Sequence, residues 1–219
     1  MGGGHLIDTI SVRARFERFP ATVKGAFILR GENPDPHQVE FRGGNVVGIG
    51  TKVSIPMPMT AASLDVAPHR DVFVPFEMPL VDLEPGWYTF QADLEVDGTV
   101  EAFDGGRRFS VPWPRATVRR GQVRIDREVA LGDATVHIEQ LDCGGDAVKL
   151  HLRSEPPVPL TLRLSADGEH LELLELEADE ATGRVKVTAY PVMRTHRSLH
   201  LELHGPAKVS AELEIPLPE

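Results

Sequence analysis

Three side chains in one short run have the types and spacing to hold a metal. In His196-Arg197-Ser198-Leu199-His200-Leu201-Glu202-Leu203-His204, leucine alternates with His200, Glu202 and His204. A β-strand points successive residues to opposite faces, so these three share one face and the leucines share the other. Neighbours two apart on a face lie about 7 Å from each other, and such a pair can point at one ion. Imidazole and carboxylate suit zinc or nickel, so a surface ion of that kind is the one cofactor the run offers. The plainer reading is a solvent-facing strand that tolerates histidine, with Leu199, Leu201 and Leu203 in a core. His137 with Glu139, His151 with Arg153 and His170 with Glu172 repeat the pattern. If their strands were neighbours, they would form a histidine-rich, pH-sensitive sheet face.

Other chemistries fail on the residues. Cys143 sits in Leu141-Asp142-Cys143-Gly144-Gly145-Asp146, a turn whose aspartates raise a thiol pKa instead of lowering it, so an inert thiol is expected. Gly43-Gly44-Asn45-Val46-Val47-Gly48-Ile49-Gly50-Thr51-Lys52 superficially suggests a nucleotide loop. A dinucleotide fingerprint needs glycine where Val53 stands, and a P-loop needs glycine where Thr51 precedes Lys52. Neither a Gly-x-Ser-x-Gly elbow nor a His-Glu-x-x-His motif occurs.

Ile55-Pro56-Met57-Pro58-Met59 is extended and poor in backbone donors, which suits an edge strand or a loop. If exposed, Ile55, Met57 and Met59 make an apolar patch for a protein partner or for a second copy of the chain. The plainer alternative is that they tuck against a core.

The elements that must position these groups are strands. Ile10-Ser11-Val12-Arg13-Ala14-Arg15-Phe16-Glu17 alternates apolar and polar residues, as do 88–96, 184–189 and 209–215. Such alternation marks half-buried strands. Asp97-Gly98 and Asp167-Gly168 are two-residue hairpin signals, because glycine accepts the positive φ of primed turns. Eighteen scattered prolines work against long helices. The stretch from Glu169 to Glu180 reads as the first arm of a strand pair. The expected fold class is all-β, with two tandem antiparallel sandwiches, residues 1–113 and 114–219, each large enough for its own core. Pro112 and Pro114 keep the link extended, which predicts an end-to-end arrangement with Trp113 wedged between the domains.

Within 64–112 the sequence resembles a known architecture. Phe73-Val74-Pro75-Phe76-Glu77-Met78-Pro79, followed by Leu83-Glu84-Pro85-Gly86-Trp87-Tyr88, is similar to the late strands of immunoglobulin-like and arrestin-like domains. There a Pro-Gly-aromatic-Tyr corner opens a strand that crosses the sandwich, and a strand like Arg108-Phe109-Ser110-Val111-Pro112 closes it. The resemblance implies an immunoglobulin-like fold and no site residue. The paired core cysteines with a tryptophan that mark antibody domains are absent.

The net charge of −10 divides evenly between the halves and argues against nucleic acid, whose phosphates call for clustered Lys and Arg. Arg115, Arg119, Arg120, Arg124 and Arg127 form the densest basic stretch, read here as a solvated linker and first strand. No apolar run reaches the roughly 18 residues of a membrane helix. Met1-Gly2-Gly3-Gly4-His5-Leu6 lacks the features of a signal peptide, and with a lone cysteine the expected compartment is a reducing cytoplasm. The excess of Arg over Lys fits a GC-rich bacterial genome.

The preferred functional expectation is a non-enzymatic binding, adaptor or assembly module acting through protein–protein contacts, with homo-oligomers allowed. The alternatives are a metal-dependent or carboxylate-based hydrolase with its site on a sheet face, and a structural subunit of a repeating assembly.

Overall fold

The computed structural model describes residues 6–7, 10–96, 98–206 and 209–218. The leader expectation and the Asp97 position of the hairpin signal lie outside them, apart from Leu6. By its internal contacts the chain divides into two compact units, Met1–Val111 and Pro112–Glu219. The named elements are all strands, and among the described residues no helix is long and apolar enough to cross a membrane.

The first unit holds β1 (Leu6–Ile7), β2 (Ile10–Arg18), β3 (Thr22–Gly31), β4 (His37–Gly48), β5 (Ser54–Pro56), β6 (Ala62–Val66), β7 (Asp71–Pro79), β8 (Gly86–Val96) and β9 (Thr99–Val111). One sheet runs β1-β2-β3-β7 and the other β5-β4-β8-β9, with β6 also on β4. Every named pairing is antiparallel. Lettering β2, β3, β4, β7, β8 and β9 as A, B, C, E, F and G gives A-B-E facing C-F-G, an immunoglobulin-like order. β5 and β6 lie beside C.

This unit carries a tyrosine corner at the point the sequence suggested. The Tyr88 hydroxyl, near the start of strand F, donates to the Glu84 carbonyl at 2.8 Å. Two residues on, where an antibody domain has its second cysteine, stands Phe90. Its ring lies 6.5 Å from Phe27 on strand B, and Phe27 lies 5.9 Å from Phe41 on strand C. Three fully buried phenylalanines thus fill the space that a disulfide and a tryptophan occupy in antibody domains.

The second unit holds β10 (Gly121–Leu131), β11 (Ala134–Cys143), β12 (Val148–Glu155), β13 (Thr161–Ala166), β14 (Glu169–His170), β15 (Leu173–Asp179), β16 (Arg184–Ala189), β17 (Leu199–His204) and β18 (Ser210–Ile215). Its sheets run β10-β11-β12-β16-β15 and β14-β13-β17-β18. Lettering β11, β12, β13, β15, β16, β17 and β18 as A to G gives A-B-E-D facing C-F-G, the constant-type immunoglobulin arrangement with β10 added beside A. The Asp167-Gly168 turn has both residues at positive φ, 50° and 84°, and joins β13 to β14.

The stretch from Glu169 to Glu180 departs from a single strand. It forms β14 on one sheet and β15 on the other, and buried Leu171 anchors the crossover between them. Trp113 falls in the second unit, with its ring 5.6 Å from Tyr190 of the same unit.

Candidate functional site

The three metal candidates are on one face of β17, as their alternation requires, but they do not converge. Glu202 Oε1 is 2.9 Å from His204 Nε2, whereas His200 Nε2 turns to the Ser198 hydroxyl at 3.2 Å. Among the described residues no three His, Cys, Asp or Glu side chains group as a metal site. His196 precedes the strand, and its Nδ1 accepts the Met193 amide at 3.1 Å. Leu199, Leu201 and Leu203 are fully buried.

The histidines do not share one sheet face either. His137 and His151 belong to the β10–β15 sheet, while His170 and His200 belong to the other. His137 lies 3.3 Å from Glu128, and His151 bonds Asp142 at 3.0 Å. Their neighbours complete a ladder of ion pairs, Arg153 with Glu139 at 3.5 Å and Lys186 with Glu177 at 2.5 Å. Opposite charges on facing positions stabilise a sheet by a few tenths of a kcal/mol to about 1 kcal/mol each.

The exposed-patch expectation for Ile55, Met57 and Met59 is corrected by the first core. Met57 is buried, and Ile55 and Met59 pack half-buried beside it. Gly44 makes the room: a Cβ there would stand 3.1 Å from both Phe27 and the Met59 sulfur and 3.2 Å from the Met57 sulfur. The Met57 amide donates to the Gly44 carbonyl at 2.8 Å, which fixes the segment against β4. Ser54–Pro56 is an edge strand, one of the two forms expected.

Arg119 departs from the solvated-linker reading. Its guanidinium donates to the carbonyls of Pro218 at 2.8 Å, His196 at 2.9 Å and Arg194 at 3.4 Å. Val118 bridges Met193 beside it, so this segment is fastened to its own unit. Cys143 is buried, and burial pushes its thiol up to about 11, the opposite of what a nucleophile needs.

What the sequence did not reveal is an open flank in the second unit. β15 is the last strand of its sheet, and no strand pairs its outer edge among the described residues. Leu176 and Ala178, opposite Val187 and Val185, point to the inner face, and Glu175, Glu177 and Asp179 to the outer, with a bulge at Leu174 before them. Leu174 is buried, but Leu176 is 48% exposed. Leu176 and Ala178 line a groove of about 440 Å³ with Val158, Leu160 and Val185. Pro157 and Pro159 form its rim. The groove therefore combines an unpaired strand edge with an uncovered part of the sandwich interior.

One other exposed apolar feature is less suited to taking an added strand. On the first unit, Phe19 and Phe73 border a depression of about 400 Å³ on the outer face of the β2-β3-β7 sheet. The adjacent edge strand β7 carries Pro75 and Pro79, which lack the amide a partner strand would need.

No protein-family model matches the sequence, and no curated protein matches it. Solved structures match at low identity. A conserved domain protein from Bacillus anthracis has a TM-score of 0.39 and 10% identity, with 100% of this chain and 90% of that chain covered. A marsupial T cell receptor chain has a TM-score of 0.28 and 14% identity, covering 98% of this chain and 100% of that one. A second marsupial T cell receptor chain has 0.27 and 13%, covering 93% and 61%. At these scores the likenesses carry no argument about function, and the immunoglobulin-like assignment rests on the strand orders given above.

Proposed function

We propose that the protein is a non-enzymatic binding module that takes up an extended segment of a protein partner along β15. The observation that carries the reading is the exposed inward-facing Leu176 beside an unpaired strand edge. Strand addition uses both parts: backbone amides and carbonyls supply affinity, and alternate side chains entering pockets supply selectivity. An uncovered, proline-free edge invites pairing, and folded proteins ordinarily block or cover such edges. A groove of about 440 Å³ is large enough to seat two or three aliphatic side chains.

The test is selection of random dodecapeptides from a display library against the full chain, followed by titration against the wild type and Leu176→Lys. An inward-facing lysine is a device by which natural edges repel an added strand. The reading predicts selected peptides that lose at least about tenfold in affinity on the variant. Selected peptides indifferent to the substitution would overturn it.

A further inference from the structure

The strand-addition reading leaves the partner's chemistry open, and the charge pattern around β15 narrows it. Residues 169–183 contain Glu169, Glu172, Glu175, Glu177, Asp179 and Glu180 and not one Lys or Arg. On the inner side of β15 the next strand is basic: Lys186 stands opposite Glu177 and Arg184 opposite Asp179 in register. Lys149, His151 and Arg153 follow on β12. The outer face of this sheet is thus cationic on the adjacent strands β12 and β16 and anionic on β15. The anionic row of β15 is the last in the sheet and lies at its open edge.

We infer that β15 receives an extended protein segment in which apolar residues alternate with lysine or arginine. The apolar side chains enter the groove at Leu176 and Ala178, and the cations line up against Glu175 and Glu177. This rests on the strand-addition reading above. Period two requires the alternation, since a strand added to β15 presents every second residue to the groove and the rest to the outer face. Glu175 lies opposite Thr188 and has Lys186 only as a diagonal neighbour. Glu177 gives one oxygen to Lys186 and keeps the other. Asp179 is engaged by the Thr182 hydroxyl and the Ala181 amide and contributes less.

The same pattern disfavours a second copy at this edge. Two β15 strands side by side would bring their glutamates together, and like charges facing each other across a strand pair are destabilising. The acidic edge therefore rejects itself while admitting a basic segment, a combination of attraction and repulsion that gives specificity.

The experiment titrates two blocked octapeptides into the full chain by calorimetry at low salt, one alternating valine and lysine, the other valine and glutamate. Both are repeated with Leu176→Lys and with Glu175→Lys/Glu177→Lys, whose substitutions lie on exposed outer positions. The expected result is that the lysine peptide binds about tenfold or more tighter than the glutamate peptide, from two cross-strand charge pairs and the removal of two repulsions. Leu176→Lys should weaken it, and the charge-reversed variant should prefer the glutamate peptide. Equal binding of both peptides, weakened alike by Leu176→Lys, would overturn the charge inference and leave strand addition standing. A lysine preference untouched by Leu176→Lys would place binding elsewhere and overturn both. Binding of neither peptide would also overturn the inference, and a chain that self-associates through β15 in light scattering, with Leu176→Lys restoring the monomer, would replace the basic segment by a second copy.

Discussion

Leu176 on β15 stands opposite Val187 on β16 in register, yet Leu176 is 48% exposed and Val187 is fully buried. Both side chains face the inside of the same sandwich. Val185, Val187 and Ala189 of β16 are all buried, whereas β15 from Glu175 to Asp179 is exposed, so that half of the edge strand lies uncovered. That uncovered half is the feature on which the functional reading stands.

The β17 register sets the first expectation. Leu201→Ala should destabilise the second unit by about 2–5 kcal/mol, the usual range for truncating a buried leucine. His200→Ala, on the exposed face, should change it by less than about 0.5 kcal/mol. Urea titration of the full chain checks this, reading the transition of the second unit. Equal effects would mean that the two faces are reversed.

The tyrosine corner gives a second. Tyr88→Phe removes the donor to the Glu84 carbonyl and keeps the ring stacked on Phe109, 5.6 Å away. A loss of about 0.5–1.5 kcal/mol is expected in the first unit, the net worth of an ordinary hydrogen bond. The transition of the second unit should not move.

Arg119 gives a third. Arg119→Ala removes a charged donor from three carbonyls and should destabilise the second unit by about 1.5–3 kcal/mol. Arg119→Lys should recover little of it, because a single ammonium cannot reproduce the spread of a guanidinium. Thermal melts of the two variants make the comparison.

Acid should loosen the second unit. The Asp167 carboxylate accepts the amides of Ser198 at 2.8 Å and Arg197 at 2.9 Å, which hold it below its ordinary value of 3.8. Asp179, bonded to Thr182, and Glu177, bonded to Lys186, are lowered as well. A carboxylate lowered by folding contributes stability that is complete above its unfolded value and is lost as the pH falls toward its folded one. The melting temperature should therefore fall from about pH 5 to about pH 3, and Asp167→Asn should flatten that slope. Asparagine keeps the turn, since it tolerates the positive φ at this position.

Much of the fold was legible because alternation is local. Leu199, Leu201 and Leu203 face a core whatever lies opposite, and Asp167-Gly168 makes its turn from its own backbone preferences. The corner at Pro85-Gly86-Trp87-Tyr88 was legible for the same reason. Coverage is not local. Met57 stands between two prolines and Leu176 between two glutamates, and neither setting says what lies opposite. Gly44 opens a space that buries the first, while the second lies exposed on the last strand of its sheet. The break between β14 and β15 was hidden because Leu171 and Leu173 continue one alternation across a change of sheet. His200, Glu202 and His204 were rightly placed on one face, but a shared face does not bring side chains to a point.

Amide hydrogen exchange across residues 173–179, with and without saturating valine–lysine peptide, tests the central claim most directly. In the free chain the outward-facing amides of β15 should exchange as fast as an open edge allows, and the peptide should slow them while leaving β7 unchanged. Amides already slow in the free chain, or protection that arises elsewhere and leaves 173–179 untouched, would contradict the account.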